Sequence, residues 1–132
     1  MGLDVSHDCF SAPYSAFACF REYLCRAIGI NMMSMEGFPR LASIIREDDP
    51  VPQTKWEALR PDPLHLLINH SDCDGEIAHE HCEPIARRLR EVAPLLPADV
   101  RGARDLTLAE TAYKFADGLM RAYESGEGVT FH

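Results

Sequence analysis

Residues 64–77, LHLLINHSDCDGEI, constrain the fold of this chain more than any other segment. An apolar run follows Pro63 and ends abruptly at a polar loop that contains a single glycine, Gly75. A short apolar run between a proline and such a loop is typical of a buried β-strand, so we predict a strand over residues 64–69. The loop that follows collects potential metal ligands: His70, Asp72, Cys73, Asp74 and Glu76.

Two further segments that look like strands end in the same types of residue. Leu3 and Val5 share one face of a short predicted strand, which is followed by SHDC at residues 6–9. The sequence VTFH at residues 129–132 places His132 just past a third strand-like segment. If the three strand ends lie side by side, the candidate metal ligands converge: His7, Asp8, His70, Asp72, Asp74 and His132.

Three other segments carry apolar residues at every third or fourth position, which predicts amphipathic helices. The first ends at Gly29, and the second contains Pro84, so it cannot begin much before residue 80. The third opens with Thr107 and Glu110 in the spacing of a capping box. The predicted buried stripes are Ala16, Phe17, Phe20, Leu24, Ala27 and Ile28, then Ile85, Leu89 and Val92, then Leu108, Ala112, Phe115, Leu119 and Ala122.

These elements follow one another as strand, helix, connection, strand, helix, helix and strand. Because helical crossovers favour parallel neighbours, we predict an α/β or α+β fold with a small, three-stranded, mostly parallel sheet flanked by three main helices. Residues 48–63 form a proline-rich connection in it. Ligands bind at the carboxyl ends of such strands, where the candidate residues would meet. If the last strand runs antiparallel instead, His132 leaves the cluster.

Composition limits the classes of protein to which the chain can belong. A length of 132 residues with 46% hydrophobic and 26% charged residues indicates one folded domain over residues 1–132. The chain shows no apolar run of the roughly 20 residues that a membrane span requires, and no signal peptide. Five cysteines without a CxxC pair indicate a reducing cytoplasm rather than a disulfide framework.

The charge balance bears on partners. Thirteen Lys and Arg residues against 21 Asp and Glu residues give a net charge of -8, which disfavours binding to nucleic acid. The same balance favours cations or a basic protein partner. The sequence leaves the oligomeric state open.

The candidate cluster suits a divalent metal. Imidazole and carboxylate ligands together fit zinc, manganese, iron or magnesium. A bound water with a lowered pKa would be the nucleophile, and Glu76 and Asp74 are the candidate catalytic carboxylates, with Glu76 as general base. This predicts a metal-dependent hydrolase that acts on a phosphoester or another small polar substrate.

Other interpretations of the same residues stay open. The acidic residues before Gly75 are also common in turns and helix caps. A structural zinc site could instead use four other ligands, Cys73, His79, His81 and Cys82. No serine nucleophile with its base, glycine-rich phosphate loop or Rossmann fingerprint is recognisable. A non-enzymatic acidic module that binds a basic partner, with a structural metal or none, is therefore the alternative function.

Local resemblances to known families fall on the same loop. Asp72, Asp74, Gly75 and Ile77 resemble the middle of an EF-hand calcium loop. His70 with the two aspartates and the glycine is similar to the first motif of DHH-type phosphoesterases, and this resemblance implies phosphoester hydrolysis. The segments GLDVSHDC, HSDCDGEI and the terminal FH resemble small uncharacterised proteins of phages and prophages. That resemblance implies residence in the cytoplasm of a bacterial host and no specific activity. The alternative function, an acidic module that binds a basic partner, would be of the phage accessory or inhibitor type.

Overall fold

The computed structural model describes residues 2–29, 62–68, 70–71, 74–103 and 105–132. The predicted proline-rich connection lies outside these residues, apart from its last two positions. The elements in chain order are β1 (Gly2–Val5), β2 (Phe10–Pro13), α1 (Tyr14–Ala27), α2 (His65–Ile68), β3 (Glu76–Ile77), α3 (His79–Val92), α4 (Leu108–Glu124) and β4 (Val129–Thr130). A short 3-10 turn, Ala93–Leu95, follows α3.

The strands form two antiparallel pairs that are joined edge to edge. β1 pairs with β2 through a tight turn, and β3 pairs with β4. Main-chain hydrogen bonds from Asp4 to His132 (2.8 Å) and from Ser6 to Thr130 (2.9 Å) connect the two pairs. The strands therefore lie side by side in the order β2, β1, β4, β3, and each runs antiparallel to its neighbours.

The predicted three-stranded, mostly parallel sheet is wrong. The first cause is residues 64–69, predicted as a strand, because His65–Ile68 forms the helix α2. A carboxylate oxygen of Asp62 accepts a hydrogen bond from the Leu64 amide (3.0 Å), and Pro63 lies between them. Asp followed by Pro is a helix start, since the carboxylate caps an amide and proline fits the first turn. The second cause is β2, a strand that is absent from the predicted order of elements and that pairs antiparallel with β1. The architecture is α+β.

The three long helices confirm the periodicity analysis. α1 is followed by Gly29 with a φ of 80°, and α3 begins at His79. Pro84 lies inside α3, one turn later than expected. Every residue of the predicted stripes in α3 and α4 is buried. None of the helices in the described part of the chain is long and apolar enough to cross a membrane.

A cluster of phenylalanine rings forms the centre of the core. Its members are Phe10, Phe17, Phe20, Phe115 and Phe131, all of which are buried. Neighbouring ring centroids lie between 5.4 Å and 6.5 Å apart, the spacing of edge and offset contacts. Because these rings come from β2, α1, α4 and the residue after β4, the cluster joins both ends of the described chain.

Gly118 lets the turn between β1 and β2 pack directly on α4. A Cβ atom at this position would lie 2.5 Å from the sulfur of Cys9 and 2.9 Å from the carbonyl oxygen of His7. Only glycine permits an approach this close without moving the turn. The hairpin is thereby held at a fixed position against the helix.

The capping box of α4 gives a direct test of the fold. The Glu110 amide donates to the Thr107 hydroxyl (3.1 Å), and the Thr107 amide donates to the Glu110 carboxylate (3.0 Å). We expect Thr107→Ala to lower the free energy of unfolding by about 1 kcal/mol, because an amide in the first turn loses its acceptor. Urea denaturation measures the change. Ser125→Ala, at the other end of the same helix, is the matched control, and an equal loss in both variants would contradict the assignment.

Candidate functional site

The direction of β4 divides the predicted metal ligands into two groups. His132 pairs with Asp4 near the start of β1, and the Phe131 amide donates to the Gly75 carbonyl (2.9 Å) just before β3. The loop that contains His70 therefore lies at the same end of the sheet as His132. His7 lies beyond the end of β1, in the turn that leads to β2, and its ring contacts Glu127 just before β4. The antiparallel arrangement thus separates His7 and Asp8 from His132.

The His70 ring packs on Phe131 and contacts the main chain of its own loop. It stacks on Phe131 with a centroid distance of 3.8 Å, and an added Cβ on Gly75 would lie 3.3 Å from it. Nδ1 lies 2.9 Å from the Ser71 carbonyl oxygen, and Nε2 lies 3.1 Å from that of Glu76. Carbonyl oxygens only accept hydrogen bonds, so both ring nitrogens face acceptors rather than a position for a cation.

An open groove of about 360 Å³ lies beside this loop. The residues that line it are His65, Leu66, His70, Ser71, Asp74, Gly75 and Glu76. Asp74 and Glu76, the predicted catalytic carboxylates, are exposed there. Nδ1 of His65 lies 3.0 Å from the Asp62 carbonyl oxygen. With two carboxylates and one apolar wall, the groove suits a cationic group on an aliphatic stem. We call it the His70 groove.

The buried guanidinium of Arg21 supports the His70 groove from within the core. Its Nη1 donates to the carbonyl oxygens of Ile68 (3.1 Å) and His70 (2.8 Å), at the end of α2. The guanidinium carbon lies 4.7 Å from the centroid of the Phe17 ring. These contacts fix the start of the loop relative to α1. The sequence held a signal for this role, since Arg21 stands four residues after Phe17 within an apolar stripe.

The other predicted ligands lie in the turn between β1 and β2. The Asp8 carboxylate is 3.5 Å from the Lys114 ammonium, and the His7 carbonyl oxygen accepts from Arg121 (2.7 Å). The His7 ring lies between the Ser6 hydroxyl (3.2 Å) and the Glu127 carboxylate (3.4 Å). The two groups of predicted ligands therefore have different neighbours at opposite ends of the sheet.

Within the described ranges, no group of three or more His, Cys, Asp or Glu residues is arranged to hold a metal ion. Asp72 and Cys73 lie outside these ranges, so the metal site stays a prediction. The alternative ligand His79 stacks on Tyr123 (4.8 Å), and its Nε2 lies 3.0 Å from the Tyr123 carbonyl oxygen. Cys82 is buried, and its thiol donates to the Ala78 carbonyl oxygen.

Burial makes the described core thiols poor nucleophiles. It raises the pKa of Cys9 to about 12 and that of Cys25 to about 11, and it also raises the pKa of Cys82. Thiolates are the reactive form, so these cysteines are largely unreactive at neutral pH.

Positive charge in the described part of the chain is held by internal acceptors. The ion pairs that involve arginine or lysine are Arg26 with Glu22, Arg87 with Glu83, Arg88 with Asp62 and Glu91, Arg90 with Asp117, Arg101 with Asp105, and Lys114 with Asp8. Arg21 and Arg121 donate to main-chain carbonyls. No arginine or lysine of the described residues forms an ion pair with Asp74 or Glu76, so the acidic excess faces solvent at the His70 groove.

Comparison of the chain with protein-family models, curated proteins and solved structures gave no match.

Arg21 offers a test of how the His70 groove is held. We expect Arg21→Met to lower the free energy of unfolding by about 2–4 kcal/mol, because two carbonyls near the core lose a charged donor. Amide hydrogen exchange should also become faster at Ile77 than at Leu89 in α3, since the loss is local to the loop.

Arg26→Met on the exposed side of α1 is the matched control and should change stability by less than about 1 kcal/mol. Uniform acceleration of exchange across all helices would show that Arg21 acts on the whole core and not on the loop.

Proposed function

We propose that the protein is an acidic domain that binds a basic protein partner. The observation that carries this proposal is the pattern of ion pairing. The described arginines and lysines are engaged within the molecule, while Asp74 and Glu76 at the His70 groove have no cation from these residues. A net charge of -8 adds a long-range attraction for positive surfaces.

The His70 groove is the proposed site of contact with the partner. A lysine or arginine side chain of the partner would lay its aliphatic stem along Leu66 and direct its charge to the two carboxylates. The conformation of the groove depends on Arg21 and Phe131, both of which belong to the core. A contact surface supported in this way loses little conformational freedom on binding.

Paired charge variants test this proposal with a fluorescein-labelled oligolysine peptide as the probe. Asp74→Asn with Glu76→Gln should weaken binding at low salt about fivefold, at about 0.5 kcal/mol for each exposed ion pair. Fluorescence anisotropy measures the affinity, and high salt should abolish binding because it screens the charges.

Asp99→Asn with Asp105→Asn is the matched control, since it removes two negative charges from the loop before α4. An equal loss in both double variants would show that only total charge matters. The absence of any binding at low salt by the unaltered protein would overturn the proposal.

Metal-dependent hydrolysis of a phosphoester or small polar substrate is a second proposal. The observation that favours it is that His65, His70 and two carboxylates line one groove. To bind a cation, His70 would have to release one of its carbonyl contacts. The predicted ligands His7 and Asp8 would take no part, because they lie at the other end of the sheet.

Elemental analysis of the purified protein tests the second proposal. We expect stoichiometric zinc, manganese or iron, and a lower melting temperature after chelation, if the groove holds a resident ion. His70→Ala should remove the metal, whereas His7→Ala should leave it in place. A metal-free protein whose melting temperature does not respond to added ions would exclude this function and leave the first proposal standing.

A further inference from the structure

A chain of side-chain contacts runs through the turn at the other end of the sheet. The Ser6 hydroxyl oxygen lies 3.2 Å from Nδ1 of His7, and Nε2 of His7 lies 3.4 Å from a carboxylate oxygen of Glu127. The Thr130 amide donates to the same serine oxygen at 2.8 Å. Three elements supply these groups, namely the end of β1, the turn after α4, and β4.

The chemistry of the partners favours one arrangement of the protons along this chain of contacts. An ionised carboxylate only accepts hydrogen bonds, so Nε2 of His7 carries the proton and donates to Glu127. Nδ1 then presents its lone pair to Ser6, whose hydroxyl donates to it. A serine on a histidine base that is oriented by a carboxylate is the arrangement that activates a serine nucleophile. Compared with the Ser-His-Asp triad of proteases, the two ring nitrogens exchange roles.

We propose that Ser6 is a nucleophile, activated by His7 and positioned through Glu127, that cleaves small carboxylic esters without a metal. The Ser6 oxygen attacks the ester carbonyl, and its proton passes to Nδ1 of His7. The tetrahedral intermediate collapses, and the alcohol leaves with that proton. Water then attacks the acyl-serine in the same way, so that the acid is released and the hydroxyl of Ser6 is restored.

Contacts with α4 hold the turn that carries Ser6 and His7. His7 and Asp8 adopt φ angles of 60° and 58°, a conformation that costs free energy for residues other than glycine and often occurs at functional sites. Arg121 holds the His7 carbonyl, and Gly118 seats the turn on α4. The His7 side chain is 23% exposed, that of Glu127 is 63% exposed, and Ser6 is half-buried, so the group lies at the surface.

The amide of Thr130 positions the hydroxyl of Ser6. It donates to the Ser6 oxygen at 2.8 Å and so fixes the position of that oxygen relative to β4. No local sequence motif marks this group, because Glu127 lies 120 positions after His7.

A fluorophosphonate probe tests the proposal, because an activated serine displaces its fluoride and becomes covalently labelled. We expect a single label that peptide mass spectrometry places on Ser6. Ser6→Ala should abolish labelling, whereas Ser11→Ala, which alters a half-buried serine in β2, should leave it unchanged. Hydrolysis of p-nitrophenyl acetate by Ser6→Ala should fall in parallel with labelling, because the nucleophile is lost.

Two further variants separate catalysis from folding. His7→Asn tolerates the positive φ and leaves the Ser6 contact with Thr130 in place, so it should keep the melting temperature and lose labelling. Glu127→Gln should slow labelling, and Glu127→Asp should recover part of the rate, as a positioning role requires. Absence of labelling in the unaltered protein, or equal labelling of Ser6 in the His7→Asn variant, would overturn the proposal without bearing on peptide binding.

Discussion

The rest of the structure depends on the packing of phenylalanine rings between the hairpin, α1, α4 and the residue after β4. Phe131 contacts Phe17 and Phe115 in the core, and its ring also stacks on the His70 ring at the surface. The conformation of the His70 loop is therefore set by the same ring that completes the core. A change that loosens the aromatic cluster would also alter the groove, so the stability of the core and the shape of the groove are physically coupled.

Strand direction decides which polar residues meet. Because β4 lies antiparallel between β1 and β3, each end of the sheet combines residues from distant parts of the chain. One end joins His70 to the residues before β3 and to the C-terminal segment. The other joins Ser6 and His7 to Glu127. A parallel arrangement would have merged these groups into one cluster of ligands, whereas the observed one produces two separate polar surfaces with different chemistry.

Local sequence signals predicted the helices well and the sheet poorly. The apolar stripe and capping box of α4 depend on residues within one or two turns of one another, so they can be read without knowing the fold. The strand predicted over residues 64–69 failed because a short apolar run fits a buried helix as well as a buried strand, and the deciding signal was the cap at Asp62. The direction of β4 and the contact between His7 and Glu127 depend on tertiary packing. No periodicity or spacing encodes them.

The sheet can be completed only after residues 129–132, which are distant in sequence from β1, have been synthesised. Residue 130 follows residue 6 by 124 positions, yet its strand fills the space between β1 and β3. Until residues 129–132 have emerged from the ribosome, β1 keeps an open edge, and the core faces of Leu3 and Val5 lack Phe131 as a neighbour. Open strand edges next to apolar surface promote aggregation. The hairpin therefore keeps an unprotected edge until the segment at residues 129–132 pairs with β1.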